Sequence, residues 1–442
     1  MKINDSGFSR RRFTKTLGSA SALTVLGAGG AFGLAGCAST GAAPSAASGT
    51  QGRVLVIGGG YGGATAAKYL KKWGGAGVQV TLVERQQHFI SCPLSNLVLG
   101  GSRRIEDLTL PYSGLAEAGV IVVRDEVLSI DRVTRKVTFV RTPEQSFDRI
   151  VLSPGVDLNF SAVQGLDDEA QKTILHAWKA GPQTVALRRQ LEAMPDGGVY
   201  VLSIPLAPYR CPPGPYERTC QVAHYFKTHK PRSKIVVLDA NPDITSKKGL
   251  FLQEWNGQYK GMIDYQPNMK VTEVDARNRT AITELGDRIE ADVLNIVPPN
   301  TSAEIAHRTG LVNANDRWCT VDWVTMESTE APGIHVLGDA TLSAPAMPKS
   351  GHMANQHGKA AAAAIVELLN GRTPQPPMMA NTCYSFVDDK RVMHVASVHR
   401  YDPQKKMIEP VAGAGGVSTA ASELEGSYAN GWARNIWNDM LT

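Results

Sequence analysis

The chain has 442 residues, 20% of them charged and 43% hydrophobic, with 46 Lys and Arg against 41 Asp and Glu. Five of those cations and one acid fall in the first 36 residues, leaving 41 against 40, a balance that gives no electrostatic reason to expect a nucleic acid partner. The remainder is too long for one core, predicts two or three domains, and contains no apolar run long enough to span a bilayer.

The first 36 residues read as a leader. Ser9-Arg10-Arg11-Arg12-Phe13-Thr14-Lys15 has the S-R-R-x-F-x-K pattern of a twin-arginine export signal, and a weakly apolar stretch from Leu17 to Ala35 follows. A short basic start before a short apolar run is a targeting peptide, not a spanning helix. That route exports folded proteins, which suits a cofactor loaded in the cytoplasm, and it leads to the periplasm, where disulfides persist. Leu34-Ala35-Gly36-Cys37 also reads as a lipobox, so that cleavage before Cys37 would leave a lipid-anchored cysteine. Ordinary cleavage between Ala31 and Ala47, with Cys37 incidental, is the alternative. Residues 37–52 read as a flexible tether.

Arg53-Val54-Leu55-Val56-Ile57 predicts a strand, Gly58-Gly59-Gly60-Tyr61-Gly62-Gly63 a tight turn, Ala64 to Trp73 a helix, and Val78 to Val83 a second strand closed by Glu84. This is a βαβ unit with G-x-G-x-x-G at its first turn. Gly58 allows the turn, Gly60 lets backbone approach a pyrophosphate, and Gly63 lets helix and strand pack closely. The helix start offers free N–H groups to the phosphates. Glu84, 21 residues past Gly63, is placed to accept hydrogen bonds from a ribose.

Two later segments point to a flavin rather than a nicotinamide. Ile150 to Gly155 resembles the strand and turn with which two-dinucleotide flavoproteins re-enter the cofactor domain. Gly333-Ile334-His335-Val336-Leu337-Gly338-Asp339-Ala340 resembles their late flavin motif, in which the Asp holds the ribityl chain. Met347-Pro348-Lys349-Ser350-Gly351 then leads into an Ala-rich helix ending at Leu369. The start of that helix would stabilise charge on a reduced flavin, with Lys349 either adding to it or lying solvated.

Between these segments lies a second βαβ pattern. Gly198 to Ile204 is a strand, Tyr216 to His229 a helix, and Lys234 to Leu238 a strand closed by Asp239. Its first turn, Pro205-Leu206-Ala207-Pro208-Tyr209-Arg210-Cys211-Pro212-Pro213-Gly214-Pro215, is proline-rich where a dinucleotide loop needs glycine. Prolines remove backbone donors, so this unit is expected not to bind NAD and instead to present Cys211. After Thr373, short strands at Val392 to His399 and Met407 to Val411 predict a small β-rich layer carrying Cys383. Trp432 and Trp437 read as packing or a partner contact. The histidines, His352 and His357 among them, lack metal-ligand spacing. The fold expected is α/β, with two dinucleotide-binding-like (Rossmann-type) domains of the glutathione-reductase-like flavoprotein class plus a small C-terminal α+β domain. The flavin domain would be split over 53–161 and 300–372, the second unit would span 162–299, and the last domain 373–442.

In GGGYGGATAAKYLK, SCPLSN, APYRCPPGPYER, IHVLGDA, MPKSGHMANQHGKAAAA and NTCYS, the chain resembles the flavoprotein subunit of flavocytochrome c sulfide dehydrogenase. The resemblance runs from about Arg53 to the C-terminus; the lipobox departs from a simpler leader. It implies FAD bonded through sulfur of Cys92, which by itself reads equally as a buried, inert cysteine. It implies a redox disulfide between Cys211 and Cys383, which export would also permit as a purely structural bond. Hydrosulfide would attack that disulfide, leaving a persulfide and a thiolate that passes electrons to the flavin. Glu217 would be a nearby base, or simply a helix-start glutamate facing the dipole. Cys220 and Cys319 match no role and read as packed thiols. The sequence has no C-x-x-C-H, so the haem is expected on a partner chain, a small c-type cytochrome. Two other readings stay open: a sulfide:quinone oxidoreductase, and a non-catalytic flavin lipoprotein that relays electrons.

Overall fold

Strand Gly52–Ile57 is apolar along almost its whole length because both of its faces are covered, as in a parallel sheet sandwiched by helices. It lies at the centre of five parallel strands, in the order Ile334–Val336, Arg149–Leu152, Gly52–Ile57, Val78–Glu84, Ile121–Arg124. The computed structural model describes residues 52–442. The leader at Ser9–Lys15, Cys37 and the tether up to residue 51 lie outside the described residues, and Gly52 is already strand.

The first helix spans Tyr61–Gly74. It begins three residues before the expected Ala64, so Gly62 and Gly63 belong to its first turn. Close approach explains the glycines there. A methyl group at Gly63 would lie 1.8 Å from the Gly58 carbonyl oxygen, and one at Gly62 would lie 2.7 Å from Ser153 Oγ. The Ala-rich helix Gly351–Leu369 packs on this helix through Gly358, where a methyl group would come within 2.5 Å of the Gly62 carbonyl oxygen. Asn355 donates to Thr65 Oγ1 at 2.8 Å in the same contact.

The second unit has four parallel strands in the order Ile263–Pro267, Lys234–Asp239, Val199–Ile204, Val293–Ile296. Its helix is Gly214–His229, two residues longer at the start than expected, with Pro215 in the first turn where a missing N–H costs nothing. The chain passes between the two units through an antiparallel ribbon of Val156–Leu158 and Asn300–Ser302.

The C-terminal region is an antiparallel sheet of Met378–Phe386, Val392–Asp402 and Met407–Val417, followed by a helix over Glu423–Leu441. The expected strands are present but longer, and the helix supplies the α part of the expected α+β domain at a place the sequence reading does not assign. It buries Ala429, Ala433, Ile436, Trp437, Met440 and Leu441 in the same core as the flavin-type sheet. No helix among the described residues is long and apolar enough to cross a membrane.

Candidate functional site

The glycine turn has one packed side and one open side. Gly58 is left-handed (φ +93°), and a methyl group there would lie 2.4 Å from the Ser153 carbonyl oxygen. At Gly60, where the helix starts, a methyl group would meet nothing within 4 Å. Glu84 turns its carboxylate to this loop, accepting from Gly59 N–H at 2.7 Å and Gln86 N–H at 2.8 Å. Gly155 is also left-handed (φ +71°) with open space where its side chain would be. Across the turn, Gly338 N–H donates to His357 Nδ1 at 3.1 Å. The neighbouring Asp339 has a buried Oδ1 with no hydrogen-bond partner, and burial raises its carboxyl pKa. Buried acceptors are rarely left unpaired, so this atom calls for a donor from a bound group. A ribityl hydroxyl at Asp339, with phosphates at the open Gly60 turn, fits these residues.

Lys349 is not the solvated lysine of its alternative reading; it is 4% exposed. Its ammonium is buried in its own loop, donating to the carbonyls of Asp339 at 3.0 Å and Thr341 at 2.5 Å, with the Trp318 ring centroid 3.6 Å away. Burial lowers its pKa to about 8. Its side chain therefore braces the Asp339 segment, while Ser350 caps the helix by accepting from Met353 N–H at 3.0 Å. The carbonyl of Lys349 accepts Cys211 N–H at 2.8 Å. That bond ties the proline-rich turn of the second unit to the Asp339 loop.

Cys211 sits in that turn with a left-handed backbone (φ +59°), and Cys383 lies on strand Met378–Phe386. The fold brings them together with Glu217 and Lys247, close enough that each thiol feels the charge of both. Both cysteines are free thiols here, so the disulfide implied by the resemblance is not formed in this structure. Burial is the largest influence on each and pushes both thiols up. Glu217 is 7% exposed, with Oε1 accepting Phe386 N–H at 2.8 Å and Oε2 accepting from Asn96 Nδ2 at 2.9 Å. Its pKa is raised by desolvation against those two bonds, which favour the anion.

Cys92 lies in a different cluster. Its sulfur accepts Ala180 N–H at 3.5 Å, and it adjoins Tyr61, the first residue of the first helix. Tyr61 is fixed by Ser91 Oγ at 2.7 Å and by Trp437 Nε1, which donates at 3.1 Å. The FISCPLSN segment is thus pinned to the dinucleotide turn at one end. At the other, Asn96 donates to Gly214 O at 3.1 Å and to Glu217.

In the second unit, most of the N–H groups of the 205–215 turn, those of Ala207, Arg210, Cys211 and Gly214, are already used. Ala207 donates to Asn241 Oδ1 at 3.0 Å, Arg210 to Asn300 Oδ1 at 3.0 Å, and Gly214 to Cys211 O at 2.8 Å. Asp239, at the position of a ribose-binding acid, accepts from the hydroxyls of Tyr216 at 2.8 Å and Tyr265 at 2.9 Å and from Asn241.

Three participants have no sequence signal of the strength of the cysteines. Lys247 comes from the loop before helix Lys248–Asn256 and is 8% exposed. Arg218, 2% exposed, donates to Asn96 Oδ1, Asn295 Oδ1 and the carbonyls of His176 and Ala177. Asn96 lies inside SCPLSN and was findable only as part of that motif. Cys220, which accepts from Trp255 Nε1 at 3.3 Å, and Cys319, 3.9 Å from Ser302 Oγ, are packed thiols. His352 Nδ1 accepts Thr382 N–H at 3.0 Å, and no group of His, Cys, Asp and Glu among the described residues is arranged to hold a metal.

Three family models match the chain. "Pyridine nucleotide-disulphide oxidoreductase" covers residues 52–188. "Sulfide dehydrogenase [flavocytochrome c] flavoprotein chain, central" covers 184–298, and "Flavocytochrome c sulphide dehydrogenase, flavin-binding" covers 375–441. A flavocytochrome c sulfide dehydrogenase flavoprotein chain of Chlorobaculum thiosulfatiphilum is 54% identical over 46 residues, 10% of this chain and 94% of that sequence. The mitochondrial sulfide:quinone oxidoreductase of Mus musculus is 24% identical over 308 residues, and the chain spans 65% of that relative's length and matches it over 65% of its own. In fold, the chain is similar to the sulfide:quinone oxidoreductase of Aquifex aeolicus, with a TM-score of 0.70, 18% identity, and coverage of 88% of this chain and 91% of that one.

Proposed function

The chain belongs to the family of the flavocytochrome c sulfide dehydrogenase flavoprotein chain, and from that premise we propose that it oxidises sulfide through Cys211 and Cys383 and delivers the electrons to a c-type cytochrome on a partner chain. The observation that carries this reading is the meeting of the two cysteines beside Glu217 and Lys247, joined to the Asp339 loop by the Cys211 N–H bond to Lys349. FAD, held by the Gly58–Gly63 turn, Glu84, Gly155, Gly338 and Asp339, supplies the two-electron acceptor. We propose Cys92 as its covalent anchor.

The working form of the pair in this reading is the disulfide. Hydrosulfide attacks one sulfur, a new S–S bond forms to the incoming sulfur, and the Cys211–Cys383 bond breaks. One cysteine then carries a persulfide and the other leaves as a thiolate; as their electron pair is passed on, the thiolate bonds to the outer persulfide sulfur, so the two cysteines end bridged through the transferred sulfur. Glu217, desolvated and adjoining both sulfurs, takes the proton released as the incoming hydrosulfide is incorporated. The prolines and consumed N–H groups of the 205–215 turn support a donor other than NADH. The S-R-R-x-F-x-K leader supports twin-arginine export to the periplasm, with a lipid on Cys37 as the membrane attachment.

A second reading, transfer to a quinone, is favoured by the extent of similarity to sulfide:quinone oxidoreductases. Against it, the outward face of the terminal helix is mostly polar, with Glu423, Ser427, Arg434, Asn435 and Asn438, and exposes only Leu424 and Tyr428 as large apolar side chains near its start, a narrow apolar patch for entering a membrane. Sulfide-dependent turnover of the flavin-loaded protein, assayed with cytochrome c and with a soluble quinone in parallel, separates the two. Cytochrome reduction insensitive to a quinone analogue is expected; turnover with quinone alone would replace the first reading with the second.

A further inference from the structure

The charges around the cysteine pair are distributed unequally. The Asn381 amide donates to Cys383 Sγ at 3.4 Å, and its orientation is set by Ser350 Oγ, which donates to Asn381 Oδ1 at 2.6 Å. Lys247 is buried against the same strand and donates to Cys383 O at 3.0 Å, Ser385 Oγ at 2.7 Å and Met393 O at 3.3 Å. Three anchors fix the ammonium, one of them the backbone carbonyl of Cys383 itself. The lysine has a left-handed backbone (φ +54°), which side-chain-bearing residues seldom adopt. Cys211 has the opposite surroundings: its foremost charged neighbour is the Glu217 carboxylate.

The other charged groups facing this cluster are Arg210 beside Cys211, Arg218 beside Glu217, and Glu425 toward Lys247. Glu425 is itself paired with His394 at 2.9 Å. Burial lowers the Lys247 ammonium to about 8, opposed by the negative charge of Cys383, Glu217, Cys211 and Glu425. At Cys383 the Asn381 amide and Lys247 favour the thiolate and come ahead of the opposing Glu217 carboxylate, whereas at Cys211 Glu217 comes first and disfavours it, ahead of Arg210 and Lys247.

We infer that Lys247 is a positioning residue that, with Asn381, makes Cys383 the anionic member of the reduced pair while Cys211 keeps its proton beside Glu217. The inference rests on the reading of Cys211 and Cys383 as one redox centre, but not on the identity of the substrate. Because the thiolate is the reactive form of cysteine, Cys383 is the sulfur from which the reduced pair reacts.

The test is pulsed alkylation of the reduced, flavin-loaded protein with iodoacetamide across pH, with the label at each cysteine read by peptide mass. In the wild type, Cys383 is expected to label at lower pH than Cys211. Lys247→Met is expected to move the Cys383 midpoint up by about one pH unit or more, a roughly tenfold slower labelling at neutral pH, and Lys247→Arg to restore it. Asn381→Leu moves it in the same direction by less. A merely structural role would alter accessibility at every pH without moving the midpoint. Cys211 labelling first in the wild type would overturn the inference. So would an unmoved Cys383 midpoint in a Lys247→Met protein that melts as the wild type does. Should Lys247→Met fail to fold, the wild-type order and the Asn381→Leu midpoint decide it. No sulfide is added, so a protein that showed this pattern yet did not oxidise sulfide would lose the proposed function and keep the inference.

Discussion

Cys92 follows Ser91, whose hydroxyl bonds Tyr61 at the start of the first helix at 2.7 Å, so a covalent flavin there would be anchored on the segment tied to the dinucleotide turn. Acid denaturation of the purified protein followed by peptide mapping is expected to leave flavin on the Cys92 peptide. Cys92→Ser is expected to release it on denaturation while the native protein still binds it through the glycine turn and Asp339. Free flavin from the wild type would remove the covalent role. At this scale the cysteines and glycines were legible because their chemistry depends on residue type: only glycine fits at Gly58 and Gly63, and only a thiol can carry sulfur. Lys247 was not legible. Nothing in ITSKKG separates it from a solvated surface lysine; burial by strands Met378–Phe386 and Val392–Asp402 does, and those pair far away in sequence. The partners of Lys349 were hidden for a related reason: its place before a helix was readable, but the carbonyls that draw its ammonium into the loop were not.

Among elements, the crossing of helices Tyr61–Gly74 and Gly351–Leu369 has the least tolerance. Gly358→Ala gains about 1 kcal/mol of helix propensity, but its methyl group meets the Gly62 carbonyl at 2.5 Å, and backbone on both sides leaves little room to yield. Overpacking of this kind costs roughly 1–3 kcal/mol, so a net loss of stability and weaker flavin retention are expected from denaturant unfolding. Gly249→Ala, in helix Lys248–Asn256 with nothing within 4 Å, is the control and should be neutral or stabilising. Equal effects of the two substitutions would refute the packing argument. The βαβ units were readable since apolar runs, turn residues and closing acids repeat in order. Helix Glu423–Leu441 was not read: GSYANGW is poor in helix formers, and tertiary burial of Ala429, Ala433, Ile436 and Trp437 stabilises it. One signal was available. Ser422 caps the helix by accepting from Glu425 N–H at 3.2 Å, and Ser-x-x-Glu is a capping-box pattern.

For the whole molecule, buried histidines link stability to pH. His357, 2% exposed, has its pKa lowered to about 3 by burial, and His335, fully buried, has its own lowered to about 4. Both stay neutral in the fold and charge on unfolding, so their stabilisation is present above about pH 6.5 and is lost as pH falls toward the folded values. Glu217, Asp239 and Asp339, raised by desolvation, act in the opposite sense at lower pH. A difference measurement isolates the histidine. Between pH 6.5 and 5, His357→Asn should lose stability less steeply than the wild type, the difference growing from about half of the full linkage slope at pH 6.5 to nearly all of it, about 1.4 kcal/mol per pH unit, at pH 5; parallel slopes would contradict the burial argument. The proposed electron path depends on all three scales: electrons from sulfide would enter through Cys211 and Cys383, which two elements distant in sequence bring together. The most direct measurement is an anaerobic titration of the purified, flavin-loaded protein with sulfide, following the oxidised flavin band in the wild type, Cys211→Ser and Cys383→Ser. Rapid bleaching by about one equivalent of sulfide is expected in the wild type, none on that timescale in either variant, and none with NADH. Flavin that stays oxidised in the wild type, or bleaches equally in Cys211→Ser, would contradict that path.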